Sequence, residues 1–87
     1  MKPGEDLVTQ GIADLKDAKE TVESLLVSIG APRLRRMGLD IPAPTFSTPE
    51  HWLYFLLNQK DPDTAYSKYN SLIRRLVSYE HAAECEI

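Results

Sequence analysis

The sequence predicts an all-α fold: a small helical bundle of two long antiparallel helices plus a central aromatic helix and a short basic helical turn. Three observations predict it. Apolar residues recur at helical spacing toward both ends of the chain, no run alternates with the two-residue period of a strand, and glycine and cap-proline signals punctuate the helical stretches. The 87 residues have room for one core, so 1–87 reads as a single helical domain, frayed over 1–5 and 84–87.

The first long element is expected from about Asp6 to Ile29. Val8, Leu15, Val22 and Ile29 recur every seven residues, with Gly11, Ala18 and Leu25 at the complementary positions of an a/d seam. Ile12 and Leu26 widen the stripe, and Asp14, Asp17, Glu20 and Glu23 sit on the outer faces with Lys16 and Lys19. Gly11 costs about 1 kcal/mol of helix propensity, and with Ala18 it would let another backbone come close. Gly30, followed by Pro32, marks the expected end.

A short basic segment follows, with Pro32 suited to open a helical turn and Gly38 to close it. It holds Arg33, Arg35 and Arg36, with Leu34 and Met37 as apolar anchors. Residues 39–47 form a proline-rich connector, because Pro42 and Pro44 bias their predecessors toward extended backbone. Leu39, Ile41 and Phe46 are expected to pack along the bundle.

Thr48-Pro49-Glu50 reads as a helix start: a cap hydroxyl, proline at N1 and an acid in the first turn. The helix to about Lys60 carries Trp52, Leu53, Phe55, Leu56 and Leu57, apolar on most sides, and is expected to be the central, most buried element. Asp61-Pro62-Asp63 repeats the start signal. The last helix then runs from about Pro62 to Ala83 on a stripe of Ala65, Tyr69, Leu72, Leu76, Tyr79 and Ala83, widened by Tyr66, Ile73 and Val77.

The net charge of −3 provides no field that draws the whole chain to nucleic acid. No apolar run approaches the roughly 20 residues of a membrane span, and the N-terminus lacks the plan of a signal peptide, so a cytoplasmic location is expected. Cys85 has no second cysteine to bridge, and with His51 and His81 it falls short of a zinc set. No metal or cofactor is expected.

Two arginine clusters are the candidate binding residues: Arg33, Arg35 and Arg36 after the first helix, and Arg74 with Arg75 in the last. Guanidinium forks clamp phosphate or carboxylate bidentately. They equally pair with acids of the same chain and complement a helix C-terminus. Arg74-Arg75 followed by His81 resembles the R-x(4–6)-H signature of HEPN-type ribonucleases. That resemblance implies metal-independent RNA cleavage by an arginine and a histidine in a helical dimer. Along one helix, Arg74 and His81 share a face, separated by about 10.5 Å of axial rise.

No cofactor loop, nucleophile elbow or metal set is present in the sequence. The expected function is therefore non-enzymatic: a protein-interaction module, as a small regulator, adaptor or inhibitor binding a larger protein, itself a homodimer. Nucleic-acid or nucleotide binding through the arginine clusters is the alternative, and HEPN-like cleavage the second alternative.

Overall fold

The computed structural model describes residues 2–42 and 47–85, and among these there are four helices and no strand. They are α1 (Glu5–Lys16), α2 (Val22–Arg36), α3 (Pro49–Lys60) and α4 (Ala65–Cys85). The expected packing of Phe46, and the restriction that Pro44 imposes, lie outside the described residues.

The expected first helix is two helices. The heptad stripe runs across the break, but the chain turns between its halves. Ala18 takes the left-handed conformation at φ 57°. Around it, the Ala18 N–H donates to the Leu15 carbonyl (3.0 Å) and the Lys19 N–H to the Asp14 carbonyl (2.8 Å). That pair of bonds is a Schellman close with alanine where glycine is usual. Thr21 then starts α2 with a capping box: its hydroxyl accepts from the Ser24 N–H, and the Ser24 hydroxyl accepts from the Thr21 N–H. Asp14 ties the two ends together, accepting from the Thr21 hydroxyl at 2.6 Å and from the Gln10 amide at 2.9 Å. These bonds hold its carboxyl below the usual carboxylate range, Thr21 contributing most. The clasp is therefore present above the ordinary aspartate pKa and weakens as pH falls through the lowered one.

A left-handed alanine costs roughly 1–2 kcal/mol that glycine would not. Ala18 is exposed, so its methyl contributes little buried surface that glycine would lose. Ala18→Gly is expected to stabilise the fold by about 1 kcal/mol, read as a higher urea midpoint at unchanged slope. A lower midpoint would mean that the turn is not held in this geometry.

Turning back lets α1 lie along α2. The two helices come close at Gly11, which faces the Glu23 carbonyl and the Val27 side chain of α2. Val8 and Leu15 of α1 are buried in the same core as Leu25, Leu26 and Val27 of α2. The spacing that Gly11 makes possible is thus between α1 and α2; Ala18 serves the turn instead.

α2 does not stop at Gly30. That residue is buried inside the helix, where Leu76 and Glu80 of α4 come within about 3.2 Å of where a Cβ would stand. Pro32 is accommodated on the exposed side, and buried Leu34 anchors the turn that follows. The expected basic turn is therefore the end of α2 itself. It closes at Gly38, φ 98°, with the Gly38 N–H on the Arg35 carbonyl and the Leu39 N–H on the Leu34 carbonyl.

Among the described residues, α2 and α4 each touch all three other helices, whereas α3 touches only those two, and α2 buries the most residues, so α2 is the central element in place of the aromatic helix. The buried residues of α3 are Leu53 and Leu57, while Trp52 and Phe55 are exposed. Its start carries Pro49 at N1 and Glu50 in the first turn, but Thr48 is left-handed and its hydroxyl makes no capping bond. After α3, Asp61 opens a turn in which its carboxylate accepts from the Asp63 N–H, so α4 begins only at Ala65. The α4 stripe buries as the spacing predicts at Ala65, Leu76 and Tyr79. No helix among the described residues is long and apolar enough to cross a membrane.

Candidate interaction surface

The five arginines of the candidate site do not form one surface. Arg33, on the last turns of α2, reaches across to α4. Its Nε is 2.6 Å from Glu84 Oε1 and its Nη1 is 3.6 Å from Glu80 Oε1. Arg35 turns the other way, donating to the carbonyls of Ile41 (3.3 Å) and Pro42 (3.1 Å), which fixes the start of the connector. Arg75 bonds Asp6 of α1 at 3.2 Å. Three of the five thus hold the chain to itself.

Arg36 and Arg74 are exposed, and no hydrogen bond is assigned to either among the described residues. Arg36 helps to line a groove of about 270 Å³ between α2 and α4, with Pro32 beside it and Ile73 and Val77 opposite. Arg74 and Arg75 sit about 100° apart on α4, so Arg75 faces α1 while Arg74 faces away from it.

The carboxylates that meet Arg33 are perturbed in opposite senses. Glu80 is 4% exposed, and its burial raises its pKa against the pull of Arg33. Glu84 is exposed, and its bond to Arg33 lowers its pKa. As pH falls, Glu80 therefore takes its proton first, which favours the fold, and the Glu84 contribution is lost only as pH falls through its lowered pKa. The trio works as a clasp between α2 and α4.

Arg74 and His81 are both exposed on one uninterrupted helix, seven residues apart. His81 lies near the carboxylates of Glu80 and Glu84. A second groove, about 510 Å³, lies where Glu20, Thr21, Val22 and Glu23 meet Leu56 and Lys60, and it joins two carboxylates with one ammonium. Among the described residues, no three His, Cys, Asp or Glu side chains converge as metal ligands.

The surface that sequence reasoning missed is aromatic. On α3, Trp52 is 42% exposed and Phe55 44%, with their rings edge to face at 5.6 Å. His51 continues the row, edge-on to Trp52 at 6.4 Å. Tyr54 lies at the flank against Tyr69 of α4, and Tyr66 stands 69% exposed near the start of that helix. Hydrophobic residues on most sides of α3 signalled burial, and only the partner helices determine which side is covered. The available signal was the length of the helix: twelve residues with five large apolar side chains cannot hide them all at the edge of an 87-residue chain. Compared with known protein families, curated proteins and solved structures, the chain shows no significant match.

Proposed function

We propose that this chain is a non-enzymatic protein-interaction module, a small regulator, adaptor or inhibitor that acts by binding another protein through the outward face of α3. The observation that carries this reading is the pair Trp52 and Phe55, each more than two-fifths exposed on one side of a helix whose other side is anchored by Leu53 and Leu57. Aromatic residues are enriched at protein interfaces and dominate their binding energy, because a rigid ring buries a large area at small entropic cost. A surface row of them on a small domain is an expense in solubility unless something covers it.

The arginine reading is less well supported. Arg33, Arg35 and Arg75 are engaged within the chain, which leaves Arg36 and Arg74 for an external phosphate. The net charge of −3 opposes non-specific attraction to nucleic acid.

The test is capture from source-cell lysate with the wild-type chain, a Trp52→Ala/Phe55→Ala variant and an Arg36→Ala/Arg74→Ala variant, each with nuclease. A stoichiometric protein band is expected with the wild type and the arginine variant, and its loss with the aromatic variant. Retention by the aromatic variant would sink the reading. Nucleic acid recovered without nuclease, and lost in the arginine variant, would put phosphate binding in its place.

A further inference from the structure

We infer that the occupant of the α3 face is a second copy of this chain, the two α3 helices pairing antiparallel about a two-fold axis at Phe55. The inference rests on the reading of that face as the contact surface, and it names the partner. Its basis is the layout of side chains around α3.

At about 100° per residue, the side of α3 opposite Leu53 and Leu57 is made of Thr48, His51, Trp52, Phe55, Asn58 and Gln59. None of these is Asp, Glu, Lys or Arg, although such residues make up 26% of the chain. The charges of α3 are confined to its ends, at Glu50 and Lys60. A two-fold interface places a patch against itself, so any fixed charge near the axis meets its own copy. On a protein of net charge −3, a patch free of fixed charge can meet its own copy without like-charge contact. A partner chosen by charge complementarity would instead need charges here to meet.

The face is also self-complementary in order. Its rings, His51, Trp52 and Phe55, fill the N-terminal half, and its side-chain amides, Asn58 and Gln59, fill the C-terminal half. Antiparallel pairing centred on Phe55 sets Trp52 over Gln59 of the second copy, and His51 over Asn58. The indole N–H then meets an amide oxygen, and the ring faces cover the amide stems. Parallel pairing would set ring on ring and amide on amide. Antiparallel alignment also opposes the two helix dipoles favourably.

The pairing joins two folded chains. The monomer exposes 5321 Å², close to the roughly 5200 Å² expected of a folded chain of 9.8 kDa. One pair of twelve-residue helices lies at the small end of specific interfaces, below about 1,200 Å² in total, so the dimer is reversible.

The test is sedimentation equilibrium from about 1 µM to about 1 mM, a range that brackets such weak affinities. The wild type is expected to rise with concentration toward twice the monomer mass. Phe55→Glu and Phe55→Lys, each alone, are expected to stay monomeric with unchanged helical circular dichroism. Mixed in equal amounts, they are expected to associate, because a residue on the axis faces only its own copy. Should either lose helical signal, Trp52→Glu with the same readout decides, and a monomer is again expected. A wild type monomeric throughout overturns the inference. If the Trp52→Ala/Phe55→Ala variant then still loses a larger protein from lysate, the interaction reading stands without self-association. A dimer that survives Phe55→Glu, or a mixture that does not associate, overturns the placement at α3.

Discussion

Gly11→Ala is expected to destabilise the fold by about 3 kcal/mol, the upper end of what overpacking a well-filled contact costs. Isolated helix propensity predicts the opposite sign, a gain of about 1 kcal/mol. The structure decides between them. A Cβ at Gly11 would fall inside van der Waals distance of the Glu23 carbonyl oxygen and the Val27 methyl, and 2.9 Å from the Glu23 carbonyl carbon. A long side chain could rotate away, but the Glu23 carbonyl is backbone inside α2 and moves only if the α1–α2 pair opens. Val8 and Leu15 of α1 and Val27 of α2 are buried in the one core, so opening the pair uncovers core. In a domain of this size, whose whole stability is about 4–13 kcal/mol, the loss lowers Tm by roughly 12–24 °C. Thermal unfolding followed by circular dichroism measures it. An unchanged or raised Tm would mean that α1 and α2 do not approach as described.

The second large effect is expected at Leu53. Leu53→Ala removes a side chain of zero exposure and leaves a cavity, at a cost of about 3 kcal/mol. Trp52→Ala, one residue earlier and a larger truncation, is expected to cost less than about 1 kcal/mol, because the indole is 42% exposed. The contrast separates the structure from the sequence expectation, in which Trp52 belongs to the core. Urea unfolding of the two variants at matched slope checks it. Amide exchange adds a second readout: Leu53→Ala should lower protection across α3 before the rest of the domain, since Leu57 is then its remaining buried anchor. If Trp52→Ala proves the more damaging change, α3 packs by its aromatic side and the proposed contact surface is wrong.

The places where sequence reasoning succeeded and failed have one physical pattern. Local signals with a covalent basis were legible. Gly38 closes α2 through the left-handed backbone that only glycine takes without cost, Pro49 opens α3, and the α4 stripe buries Leu76 and Tyr79. The break after Lys16 was illegible because its C′ residue is Ala18, which carries no turn propensity, and because the heptad stripe continues past it. Its one visible sign was Thr21 with Ser24, a capping pair written in the middle of an apparently continuous helix. Gly30 misled in the opposite direction: it reads as a stop, and it is there to let Leu76 and Glu80 approach.

The candidate site divides the same way. Sequence identifies arginines that can clamp an anion, but it does not say whose. Arg33 lies 51 positions from Glu84 and Arg75 lies 69 from Asp6, and only the packing of α2 and α1 on α4 brings each pair together. By itself the sequence determined that the chain is helical, roughly where helices start and stop at glycine and proline, and which residues are apolar enough to bury. Tertiary structure alone decided that the first stripe folds back on itself, that α2 and not α3 lies at the centre, and that the α3 rings face outward. The reason is geometric: periodicity reports that a helix has an apolar side, whereas a helix apolar on most sides becomes core or surface according to how many neighbours cover it.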